Sequence, residues 1–133
     1  MKTGSLTMSA VIPATPGDVY KAWMSSKGHA AMTESPATVS ARKGGKFTAW
    51  DGYISGKTLE IKPGKRIVQA WRSTDFAEDA PDSRLEVILE ATKGGTKVTL
   101  KHSAIPPGQT AGYRQGWKDF YFEPMKRYFT SRA

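Results

Sequence analysis

The chain of 133 residues contains no cysteine. That excludes a disulfide scaffold, a zinc–thiolate site and a cysteine nucleophile together. It has only two histidines, His29 and His102, set far apart, so no metal-ligand spacing is present. There is no Gly-x-Ser-x-Gly elbow, no phosphate-binding glycine loop and no dinucleotide fingerprint. Acidic residues cluster on one loop and on an outer sheet face, not as a pair across a cleft. No catalytic residue, metal or cofactor is therefore expected. Nothing approaches the ~18 consecutive apolar residues of a membrane span. The segment up to Ile12 has one lysine and an interrupted apolar pattern, unlike a signal peptide. A cytoplasmic protein without membrane insertion is the expectation.

What is present is ordinary globular composition, with 38% hydrophobic and 24% charged residues. This length suits one domain, residues 1–133. Lysine and arginine total 20 against 12 acids, a formal charge of +8, which raises nucleic acid or an anionic surface as a partner. The basic residues are spread through predicted strands, turns and helix and do not form one arginine-rich stripe. No specific nucleic-acid binding is expected.

Leu6, Met8, Ala10 and Ile12 alternate with polar residues, a period of two that predicts a half-buried strand. Thr15-Pro16 with Asp18 predicts a capped helix carrying Val19, Tyr20 and Trp23. Ser25, Ser26 and Gly28 are expected to break it, with a second short turn through Ala30, Ala31 and Met32. Five turn signals then punctuate β-branched and aromatic runs: Gly44-Gly45, Asp51-Gly52, Pro63-Gly64, Ala80-Pro81-Asp82 and Gly94-Gly95. They predict an antiparallel meander. Its last hairpin carries Leu85, Val87, Leu89 and Ala91 opposite Val98, Leu100 and His102, with glutamates and lysines pairing across the outer face. Tyr113, Trp117, Phe120, Tyr121, Met125, Tyr128 and Phe129, spaced by three and four, predict a long C-terminal helix. Pro124 should kink it near Phe120, or break and restart it. The order predicts an α+β fold in which the helix covers the sheet.

Several motifs carry a resemblance. Gly45-Lys46-Phe47, Trp50-Asp51-Gly52-Tyr53-Ile54-Ser55-Gly56, the run Leu59 to Val68, and Trp71-Arg72 resemble the sheet signature of the family of the activator of heat-shock protein 90 ATPase. Gly94 to Pro106 resembles its late hairpin, and Gly116-Trp117 with Pro124 to Phe129 its C-terminal helix. The resemblance spans essentially the whole chain. It implies the helix-grip fold shared with START domains and the birch-pollen-allergen superfamily: a curved antiparallel β-sheet wrapped around a long C-terminal helix, with two short helices after the first strand. It also implies a chaperone as one partner and stress response as one setting. The eukaryotic co-chaperone has a further N-terminal chaperone-binding domain, and a chain of this length is expected to hold the grip alone.

Aromatic residues make up 11% of the chain, more than a small sheet–helix core strictly needs. Trp23, Phe47, Trp50, Tyr53, Trp71, Phe76, Tyr113, Trp117 and Tyr121, with His102, are the candidate ligand-binding residues. Each has a plain alternative as core filling. His102 shares the phase of Val98 and Leu100 and should face inward, either as an acid or base or as a satisfied histidine near the rim. Arg72 and Arg114 are candidates for a ligand carboxylate, or are surface charges. Asp75, Glu78, Asp79 and Asp82, with Phe76, mark a lid or a solvated hairpin. The leading expectation is non-enzymatic binding of a small hydrophobic or amphipathic ligand between sheet and helix, by a monomer or homodimer. The alternatives are a co-chaperone module acting on a chaperone ATPase, and an enzyme using His102.

Overall fold

In the computed structural model, residues 2–131 are described, and both ends of the expected 1–133 domain lie outside that range. The elements run β1 (Gly4–Ile12), α1 (Pro16–Trp23), α2 (Ser26–Thr33), β2 (Thr38–Val39), β3 (Lys46–Ala49), β4 (Ile54–Lys62), β5 (Arg66–Ser73), β6 (Ser83–Thr92) and β7 (Gly95–Ile105). A continuous helical segment follows: α3 (Thr110–Trp117), a π turn (Lys118–Phe122) and α4 (Glu123–Ser131). The strands form one antiparallel seven-stranded sheet in the order β1-β7-β6-β5-β4-β3-β2. This is the α+β helix-grip arrangement, a curved sheet around the C-terminal helical segment. No helix among the described residues is long and apolar enough to cross a membrane.

The two edges of the sheet, β1 and β2, are consecutive strands, and α1 and α2 make the journey between them. Thr15 Oγ1 accepts the Asp18 N–H at 3.1 Å and Pro16 occupies the first turn, so α1 starts where its cap and its fixed φ agree. The expected break falls between α1 and α2, where Ser25 and Gly28 also begin and pack the second helix. Ser25 Oγ accepts the Gly28 N–H at 2.9 Å, and a Cβ on Gly28 would lie 2.7 Å from Ala22 Cα, so glycine permits the close α1–α2 crossing.

All five turn signals fall at junctions between strands, the last with Gly95 opening β7. Leu85, Val87, Leu89, Val98, Leu100 and His102 are buried on the inner face, whereas Ala91, near the end of β6, is exposed. The register sets Glu86 opposite Lys101 and Glu90 opposite Lys97, as alternation requires. The Glu86 carboxylate nevertheless goes to Arg66 on β5 and lies 3.6 Å from Arg84, because the arginine forks reach further than the directly opposed lysine.

Pro124 leaves the helix unbroken. It has no N–H to give to the carbonyl four residues back, and the turn before it widens: the Glu123 N–H bonds to the Lys118 carbonyl, a spacing of five. The widened turn shifts the helical phase. Tyr121 and Phe122 go inward and Phe120, part of the predicted apolar stripe, is 54% exposed.

Candidate functional site

A cavity of about 580 Å³ opens between the sheet and the C-terminal helical segment. Trp50 and Tyr53 reach it from the β3–β4 turn, Ile54 and Trp71 from β4 and β5, and Asp75 from the loop over residues 74–82. Gly108, Gln109, Gly112, Tyr113, Gly116 and Trp117 line it from α3 and its approach, and Phe120 and Tyr121 from the π turn. Six of the ten candidate residues therefore meet at one place: Trp50, Tyr53, Trp71, Tyr113, Trp117 and Tyr121.

The other four, Trp23, Phe47, Phe76 and His102, do not line it. Trp23 packs against Trp117 and Tyr121, with centroids 6.4 and 5.1 Å away. Phe47 covers Gly56 on the neighbouring strand, where a Cβ would come within 2.8 Å of its ring. Phe76 supports Trp71 edge-on at 6.1 Å and lies under the Arg72 guanidinium at 5.5 Å. His102 is 1% exposed, behind Trp71 and Trp117. Trp23, Phe76 and His102 thus back rings that line the cavity, and Phe47 packs on Gly56.

The hydrogen bonds of His102 define its tautomer. Indole N–H is only a donor, so Trp117 Nε1 gives its proton to Nδ1 at 3.1 Å. Nε2 then carries the ring proton and donates to Ser83 Oγ at 2.8 Å, and Ser83 donates onward to the Trp71 carbonyl at 2.7 Å. Burial lowers the imidazole pKa to about 4. Both nitrogens are committed in this network, and in this tautomer Ser83 faces a donor instead of a base.

His29, which sequence patterning left without a role, does similar work. Its Nδ1–H donates to the Trp23 carbonyl at 2.9 Å and its Nε2 accepts from the Tyr121 hydroxyl at 2.7 Å. Burial holds this histidine at about 4 too, and pushes the Tyr121 phenol up.

At the cavity mouth a closed ring of bonds ties three elements together. The Asp75 N–H donates to Ser73 Oγ, Ser73 to Tyr113 Oη, Tyr113 to Gln109 Oε1, and Gln109 Nε2 back to the Asp75 carbonyl. Such a ring polarises each member in the same sense. The Tyr53 hydroxyl donates to Asp75 Oδ2 at 2.6 Å, and burial with this bond raises the phenol pKa to about 12. Arg72 is used in holding the loop: it donates to the carbonyls of Ala77 and Ala80 and pairs with Asp82 at 2.7 Å. The loop is stapled, and neither Arg72 nor Arg114 lines the cavity.

Trp50 carries two costs. Its φ is +52°, followed by +56° at Asp51, a left-handed conformation that a bulky side chain adopts at roughly 1–2 kcal/mol. Its indole N–H is buried without a partner among the described residues. The exposed Phe120 ring packs edge-on against it at 5.2 Å. Among the described residues no three of His, Asp and Glu come together as metal donors.

Sequence reasoning missed Ile54, Gln109, Phe120 and the three glycines of the cavity wall. The spacing of Gly112 and Gly116 by four, one face of α3, was the available signal, with Gly108 in the turn before it.

Residues 13–130 match the family described as Activator of Hsp90 ATPase homolog 1-like protein. The human activator of 90 kDa heat shock protein ATPase homolog 1 is 30% identical over 127 residues. That alignment covers 96% of this chain, and the chain spans 37% of the human protein's length. The crystal structure of an HSP90 activator from Plasmodium falciparum superposes with a TM-score of 0.84 at 24% identity, covering 92% of this chain and 94% of that one. The Aha1 dimer from Colwellia psychrerythraea gives 0.73 at 18%, with coverage of 88% and 90%. At these identities the structural likenesses establish the fold.

Proposed function

The chain belongs to the Activator of Hsp90 ATPase homolog 1-like family, and within it we propose a non-enzymatic, cytoplasmic binding domain that takes a small hydrophobic or amphipathic molecule between sheet and C-terminal helix. One observation carries this: a cavity of about 580 Å³ walled mainly by aromatic rings, with a few polar groups converging at its mouth. That volume lies within the ~300–1,000 Å³ usual for small-molecule sites. The commitment of both His102 nitrogens supports binding over catalysis. The test is native mass spectrometry of protein purified from its own source, with titration of 1-anilinonaphthalene-8-sulfonate. A co-purifying molecule and saturable fluorescence are expected. No retained mass and no saturation would sink the proposal.

Family membership favours a second reading, a module that acts on a chaperone ATPase. The human relative is named for that activity, and this chain matches a little over a third of its length. Purified protein added to the 90 kDa chaperone should then raise ATP turnover, and an unchanged rate at saturation rules the reading out. The Colwellia dimer supports a homodimer as one assembly state, which light scattering distinguishes from a monomer.

A further inference from the structure

Two glycines in α3 have no conformational or packing reason to be glycine. Gly112 and Gly116 are helical, with no positive φ. A Cβ built on Gly112 meets nothing within 4 Å, and one on Gly116 meets only a Phe120 ring carbon at 3.8 Å, an ordinary contact. The molecule supplies its own controls. At Gly28 and Gly56 a Cβ would clash, and Gly108 has φ +82°. A helical glycine costs ~0.5–1 kcal/mol relative to alanine. Here that cost leaves bare, partly solvent-exposed backbone on two residues that line the cavity.

The rest of the wall describes what would use such a face. Indole and phenol rings dominate it, and rings of this kind favour flat partners and cations over their faces. Its one charged lining residue is Asp75. The Tyr53 hydroxyl takes one bond to this carboxylate and leaves its remaining lone pairs over. Glu78 and Asp79 share the same loop, and neither they nor Asp75 has an ion pair among the described residues. The mouth is thus locally acidic on a chain of net charge +8.

We propose that the occupant is a flat aromatic amine, lying against the Gly112–Gly116 face of α3 among the cavity's rings, with its amino group at the Asp75 carboxylate. This rests on the cavity being a binding site and names the class of molecule it takes.

Three probes separate the possibilities in titrations of nucleic-acid-free protein: 9-aminoacridine, a flat cation; 1-anilinonaphthalene-8-sulfonate, an aromatic anion; and dodecylamine, a flexible cation. The flat cation should bind at least about tenfold tighter than either of the others, shift the Trp50 indole proton in NMR spectra, and lose about tenfold with Asp75→Asn. Gly112→Leu should abolish its binding while circular dichroism shows the protein folded. Gly112→Ala should raise the Tm of the free protein by a few degrees and weaken the flat cation, because it relieves a helix cost and fills the face. Equal or tighter binding of the anion or the flexible amine, or indifference to Asp75→Asn, overturns the assignment of class and leaves the cavity a binding site. A lower Tm for Gly112→Ala overturns it as well, by showing that the glycine is structural. If no probe saturates, the binding reading itself falls.

Discussion

His102 reaches the last helical segment from β7, and His29 reaches it from α2. Each ring is neutral, buried and bonded through both nitrogens, yet the two connect differently. His102 sits in a relay from Trp117 through Ser83 to the Trp71 carbonyl, joining α3 to β6 and β5, and both tryptophans wall the cavity. His29 makes a single clasp between the Trp23 carbonyl and Tyr121, and touches the wall through one phenol. An inward-facing histidine in this fold therefore need not address a ligand. Here both hold the helix that forms one side of the cavity, one by a chain across the sheet and the other by a local tie.

The largest expected effect tests what the two sites share. Both histidine pKa values fall from about 6.5 in the unfolded chain to about 4, so the unfolded state binds more protons between those values. Stability is complete above pH 6.5 and is lost as pH falls through 4, on the order of 3 kcal/mol for each ring. Urea unfolding at pH 7, 5 and 4 should show it, and His29→Gln or His102→Gln should each remove about half of the slope. A flat profile would refute the buried neutral pair.

Next in size, Tyr121→Phe should cost about 1–2 kcal/mol, since it leaves His29 Nε2 buried and unpaired. Ser83→Ala should cost a similar amount by breaking the relay at its middle. Their double-mutant cycle sharpens the contrast: independent ties add to within ~0.5 kcal/mol, and a larger coupling would make the helix one cooperative latch. The smallest effect lies far from both. Glu60→Ala removes an exposed partner of Arg66 that also pairs with Glu86, and should change stability by less than ~0.5 kcal/mol in the same assay.

Much of this was legible from residue order. Turn signals located every strand boundary of the meander because φ > 0 and a missing amide are local demands, met by glycine and proline wherever the chain turns. Period two placed His102 inward correctly. It did not reveal that Trp71 and Trp117 would stand between that ring and the cavity, since period reports a face and not a depth. The same limit applies to Trp23, Phe47 and Phe76, aromatics that are buried but do not line the cavity. Phe120 was misplaced for another reason: the π turn before Pro124 adds a residue to the turn and shifts the phase.

Residue order by itself determined the sequence of elements, the hairpins, the inner face of the sheet and an aromatic load suited to a cavity, because periodicity, capping and turn chemistry act over a few residues. The tertiary structure alone decided which rings touch open space, how His29 finds Tyr121 across 92 positions, and that Gly112 and Gly116 line a cavity. A void has no residues of its own. It exists only where the sheet, the loop and the helix stand apart, and their separation is set by long-range packing that no local pattern encodes.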